Sequence, residues 1–136
     1  MLYFTLIYFT IQVSVYGVLF YLPTRIAELL GTGIGLEVGL LTSIPWIATV
    51  IVLYAVTRYA DRKGLQTRFA ALMLALAAVG MVGSTLSASL PLVILAFCLA
   101  AAGFITVQPL FWTLPTRFLS GAAAASGIAV IGALGN

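Results

Sequence analysis

Arg58-Tyr59-Ala60-Asp61-Arg62-Lys63-Gly64-Leu65-Gln66-Thr67-Arg68 holds five of the nine charged residues in this 136-residue chain. Residues 38–57 on one side and 69–116 on the other carry none. A soluble domain spreads its charges, because each surface helix needs a polar face. Charge gathered into one short connector between uncharged runs predicts helices that face lipid and a connector that faces water.

The composition agrees. The chain is 63% hydrophobic and 7% charged, with mean hydropathy +1.22, against about a quarter charged in ordinary globular chains. The net charge of +3 comes from only six basic residues. They form no basic stripe with interleaved aromatics, so no nucleic-acid partner is expected. The single cysteine, Cys98, lies in an apolar run, and histidine is absent. With three acids far apart in sequence, no metal site, cofactor or enzymatic constellation is expected.

A spanning helix needs roughly 20 apolar residues. Runs of that kind fall at about 2–22, ended by Pro23, and at 38–57, 69–86 and 92–112. The run 121–136 is too short to cross at about 1.5 Å per residue. The expectation is an all-α multipass bundle with four complete spans and a truncated fifth. Residues 24–37 read as a polar loop, and 87–91 as a tight turn.

Arg and Lys collect on the cytoplasmic side. A cytoplasmic 58–68 connector places five basic residues inside and Arg25 outside. The N-terminus then lies in the cytoplasm. Nothing here resembles a signal peptide: the start lacks a basic region and a small-residue cleavage pattern. Instead the chain begins as though cut from something longer.

Small residues let membrane helices approach closely. Ala124, Ile128, Gly132 and Asn136 share a face of the last run, so 121–127 is expected to pack tightly inside a bundle. The run 69–82, polar-free until Ser84, is expected on the lipid side.

Two polar stripes stand out. Thr5, Tyr8, Gln12 and Tyr16 share one face of the first run, and Phe104, Gln108 and Trp112 share one face of the fourth, where Pro109 interrupts the backbone ladder. Both fit the wall of an aqueous cavity. They equally fit interhelical hydrogen bonding with packed aromatics, and Trp112 also fits a headgroup-level anchor. In the connector, Arg62 and Lys63 fit a purely topological role. Gly64 permits a tight turn, and the Asp61 carboxylate suits backbone N–H groups or an arginine.

The connector resembles the loop motif of the major facilitator superfamily, Gly-x-x-x-Asp-Arg-x-Gly-Arg-[Arg/Lys], in the copy between the second and third helices of a six-helix half. Asp61, Arg62 and Gly64 match. Thr57 replaces the leading glycine and Leu65-Gln66 the basic pair, with Arg68 slightly beyond. Tyr16-Gly17-Val18-Leu19-Phe20-Tyr21-Leu22-Pro23, and Phe111-Trp112-Thr113-Leu114-Pro115-Thr116-Arg117-Phe118-Leu119-Ser120-Gly121 with the four alanines after it, resemble the anion:cation symporter branch. Its tartrate-, sugar-acid- and dicarboxylate-type permeases are the most similar.

The resemblance implies part of the C-terminal six-helix half of a twelve-helix transporter, from helix seven into helix eleven. Substrate would bind at the midplane between rocking halves. Tyr8, Gln12, Tyr16, Gln108, Trp112 and Asn136 would contact a small organic anion, carried with a coupling cation, most simply a proton. Asp61, Arg62 and Gly64 would belong to a cytoplasmic gating loop. The implied partners are the lipid bilayer, an N-terminal half supplying most carboxylate-binding arginines, and the final helices. One departure falls at the substrate site. Related permeases read Ile-Asn-x-Ile-Gly-Asn where this chain has Ile131-Gly132-Ala133-Leu134-Gly135-Asn136, so Gly132 replaces the first asparagine. Two readings from other classes stay open: a small self-contained oligomeric membrane protein, and an assembly partner that transports nothing.

Overall fold

The computed structural model describes residues 2–136. Six helices follow in order: α1 Leu2–Leu30, α2 Leu36–Lys63, α3 Gln66–Leu86, α4 Leu90–Trp112, the short α5 Pro115–Phe118, and α6 Gly121–Gly135. The first four are long and apolar enough to cross a membrane. Their outward faces carry large apolar side chains, among them Ile51, Leu72, Val79 and Leu95. In water such a surface would drive association; in a bilayer it is the required one.

α1 and α2 extend further than their apolar runs. Pro23 does not end α1, which continues seven residues to Leu30. Proline removes one ladder bond, but Leu22, Ile26 and Ala27 on either side of it are buried in a core with Val38, Val93, Phe97 and Ala101. Packing overrides the local penalty. The expected loop 24–37 therefore shrinks to the few residues between Leu30 and Leu36.

The charged connector is likewise mostly helix. Arg58 to Lys63 form the last turns of α2, and α3 resumes at Gln66. Both long helices stop the same way. Gly31 and Gly64 take left-handed φ values of 64° and 65°. Thr32 N–H donates to Ala27 O and Leu65 N–H to Ala60 O, each at 3.2 Å. These bonds close Schellman motifs, which satisfy terminal carbonyls and favour glycine.

α4 is the central rod. In its most apolar window 56% of residues are buried, against 17–22% for the other three spans. Its tightest partner is α3. A Cβ on Gly80 would lie 2.5 Å from Ala100 N and 2.6 Å from Ala96 O, and one on Gly103 would meet Met73 O and Ala77. Backbone-to-backbone approach of this kind needs glycine. α3 buries this one stripe against α4, while Leu72, Val79, Val82 and Leu86 face outward.

α6 differs from expectation. Gly127, Ile131 and Gly135 form its buried stripe, and Ala122, Ala123 and Ala125 are exposed. The close approach lies at the opposite end from the alanine run: a Cβ on Gly135 would sit 2.7 Å from Tyr8 Cδ1 and 3.4 Å from Phe9 N. α6 rests on α1 through its C-terminal part.

Two apolar cores result. One joins the later part of α1 to the starts of α2 and α4. The other gathers Tyr8, Ile11, Ala60, Ala70, Val107, Leu110, Phe111 and Ile131. Along α1, Gln12 and Tyr16 fall between them.

Candidate functional site

Three helices bring neutral polar groups together at that position. Gln108 Nε2, from α4, donates to Gln12 Oε1 on α1 at 2.9 Å. Gln12 Nε2 in turn donates to Asn136 Oδ1, just past α6. Tyr16 Oη donates to the same Asn136 oxygen at 3.5 Å. The stripes that the sequence placed on separate helices thus meet as one hydrogen-bonded row.

A glutamine amide offers two donors and two acceptor lone pairs. Each link uses part of this capacity, and the row keeps free ends. Gln108 Oε1 and the Asn136 amide N–H groups have no protein partner among the described residues. Such a row presents acceptors at one end and donors at the other, which suits a hydroxyl or a carboxylate oxygen. No Lys, Arg, Asp or Glu belongs to it.

Trp112 stands beside the row. Its Cη2 lies 3.9 Å from where a Cβ on Gly132 would be, an ordinary contact distance. An asparagine at 132 would begin against the indole edge. Glycine leaves that space open.

Tyr8 is placed differently. It is buried, stacked on Phe111 with ring centroids 5.4 Å apart, and 4.9 Å from the Trp112 ring. No hydrogen bond joins it to the amide row among the described residues. Its ring is a wedge in the apolar core, filling the space that Gly135 leaves. The helix-face spacing put Tyr8 in line with Gln12 and Tyr16, but α6 covers the Tyr8 end of the stripe. Phe104 similarly packs against the other core.

At the connector, Gln66 Nε2 donates to Asp61 Oδ1 at 3.2 Å, and Arg117 Nη2 donates to Gln66 Oε1 at 2.7 Å. One buried amide thereby links the end of α2 to α5 and joins a carboxylate to a guanidinium that do not touch. Arg62 and Lys63 are exposed, and Gly64 makes the turn. Sequence reading missed the bridging roles of Gln66 and Arg117. The signal was there: Gln66 stands where the motif has a basic residue, so the position offers both donors and an acceptor.

The sequence profile of the Major Facilitator Superfamily matches residues 1–136, the whole chain. The chain belongs to the major facilitator superfamily. Among its relatives is the "Inner membrane transport protein RhmT" of Escherichia coli (strain K12), 46% identical over 130 residues, covering 96% of this chain and 30% of the relative. A "Quinolone resistance transporter" of Acinetobacter baumannii is 37% identical over 136 residues, and a "Putative tartrate transporter" of Agrobacterium vitis 35% identical over 132. Each alignment again covers 96% of this chain and 30% of the relative. No solved structure matches the chain significantly.

The chain therefore spans about 30% of the length of the relatives it matches. These relatives are named as transporters, not enzymes, and the bundle here is a multipass membrane segment of that superfamily.

Proposed function

We propose that this chain supplies cavity-facing helices of one half of a cation-coupled permease for small organic anions, such as sugar acids or dicarboxylates. The observation that carries the reading is the amide row Gln108–Gln12–Asn136, with Tyr16, joining three helices on an open, part-exposed face of a bundle whose other outward side chains are apolar. Polar side chains are costly at membrane depth and mark solute paths when they converge. Gln12, Tyr16, Gln108 and Asn136 hold the hydroxyl and carboxylate oxygens of the solute, and Trp112 forms an apolar wall. Tyr8 sets the distance between α1 and α6. A relative named for tartrate supports this solute class.

The amide row carries no charge, so the balancing cations come largely from the facing half. No acid lies in the uncharged runs, which leaves the coupling proton to groups elsewhere in the transporter. The Asp61–Gln66–Arg117 bridge closes the cytoplasmic side when the halves rock, with Arg62 and Gly64 shaping the turn. The N-terminus and the 58–68 segment face the cytoplasm.

Alternating access needs two facing halves. Proteoliposomes holding this chain alone are expected to show no saturable tartrate accumulation under a proton gradient. The complete transporter containing it is expected to show it. Saturable uptake by the chain alone would point instead to a self-contained oligomer.

A further inference from the structure

Between α2 and α4 runs a groove of about 410 Å³, lined by Val50, Leu53, Tyr54, Thr57 and Pro109. The groove is shallow and open, with Val50 and Tyr54 65% and 64% exposed. At its cytoplasmic rim Arg58 Nη1 donates to Tyr54 Oη at 2.6 Å, and the guanidinium carbon lies 5.7 Å from the Tyr54 ring centroid. One residue is thus fixed twice by another, one helical turn earlier. The guanidinium stays exposed but is oriented toward the groove by the Tyr54 ring and hydroxyl.

Its charge is not neutralised. The chain has three acids. Glu28 pairs with Arg25, and Asp61 is engaged by Gln66. Glu37 lies in the first turn of α2, at the other end of that helix. Among the described residues no carboxylate reaches Arg58. Four of its five N–H donors remain free. The Tyr54 hydroxyl accepts from Arg58, so its own proton is available to a second acceptor. A carboxylate set there would take two charge-assisted N–H bonds and the phenol O–H together.

We propose that Arg58 and Tyr54 form a second anion-binding station, at the cytoplasmic mouth of the α2–α4 groove, which takes a carboxylate of the transported solute. This rests on the organic-anion reading, but adds a charged contact that the neutral amide row lacks. Arg58 then does more than hold topology: it captures solute leaving or entering the cavity on the inner side.

The test uses the chain in phosphatidylcholine nanodiscs with tartrate as probe. Phenylglyoxal modification of each arginine is followed by peptide mass spectrometry. Trp46→Phe leaves Trp112 as the only indole, a separate reporter of the amide row. Tartrate is expected to slow modification of Arg58 about fivefold or more, and of Arg62 little, since only Arg58 has a preset partner. Erythritol, the uncharged tetrol, is expected to have no effect. Tyr54→Phe keeps the ring but loses the phenol O–H, and is expected to reduce the protection about threefold.

Equal slowing at Arg58 and Arg62 would show mere charge screening and overturn the station. Phosphatidylglycerol discs that protect Arg58 without tartrate, and leave tartrate ineffective, would assign it to a lipid headgroup and overturn it also. A Trp112 response without Arg58 protection would remove the station and leave the organic-anion reading standing. Silence at both positions would remove the station, and the same silence in the complete transporter would remove the organic-anion reading as well.

Discussion

The α3–α4 seam gives the sharpest stability prediction. Alanine at Gly80 would put its Cβ 2.5 Å from Ala100 N and 2.6 Å from Ala96 O, both backbone atoms of α4. Carbon contacts settle near 3.5–4.0 Å, so the two helices must separate locally by about 1 Å. Neither atom can swing aside as a side chain would. Overpacking of this kind costs about 1–3 kcal/mol. Alanine also stiffens a helix relative to glycine, by about 0.5–1 kcal/mol, which partly masks the clash.

Gly83 isolates the clash. It lies on the same helix, three residues on, but its added Cβ would meet only the Ala96 Cβ, at 3.5 Å. The propensity gain is common to both variants, so their difference reports packing alone. In reversible SDS unfolding from mixed micelles, Gly80→Ala is expected to be less stable than Gly83→Ala by about 1–3 kcal/mol, that is about 5- to 150-fold in the folding equilibrium. Gly103→Ala, aimed at Met73 O and Ala77, should fall with Gly80→Ala. Equal stability of Gly80→Ala and Gly83→Ala would mean that α3 and α4 do not meet through their backbones.

Gly64→Ala forces a side chain into the left-handed region at the α2 terminus, with an expected loss of about 1–2 kcal/mol in the same unfolding assay; no loss would contradict the Schellman turn. Cysteines placed at Leu65 and at Ser87 are expected to react with impermeant maleimide from opposite sides of the membrane, and labelling from one side would break the assignment of α3 as a span. In the complete transporter, Gln66→Leu unlinks Asp61 from Arg117, and is expected to raise cytoplasmic reagent access to a cysteine at Gln108. Unchanged access would remove this bridge from the gate.

What was legible in the sequence follows from which forces are local. The bundle was legible because burying a charge in hydrocarbon costs so much that nine charges reveal the water-facing parts. The Gly64 turn was legible because few other residues adopt its backbone angles. The polar faces of α1 and α4 followed from helical spacing alone. Their pairing did not, since whether Gln12 meets Gln108 depends on how two rods cross. The same holds for Gly135 against Tyr8, which turned one member of the polar stripe into a core wedge. Pro23 misled because its local preference was outweighed by the burial of Leu22 and Ile26 against α2 and α4, partners far away in the sequence. In α6 the alanine run is exposed and Gly127, Ile131 and Gly135 are the buried residues. Small residues permit close packing, but do not say which neighbour is there to use it.

Uptake of labelled tartrate by proteoliposomes of the complete transporter tests the amide row most directly. Gln12→Ala and Gln108→Ala each break the row, while Met81→Ala trims a side chain packed against the other core. Loss of one charge-free hydrogen-bond partner inside the membrane is worth about 1–2 kcal/mol. Uptake efficiency at low substrate is therefore expected to fall about tenfold in both glutamine variants and to stay near wild type in Met81→Ala. Equal effects in all three would make Gln12 and Gln108 packing residues and leave the cavity without its wall.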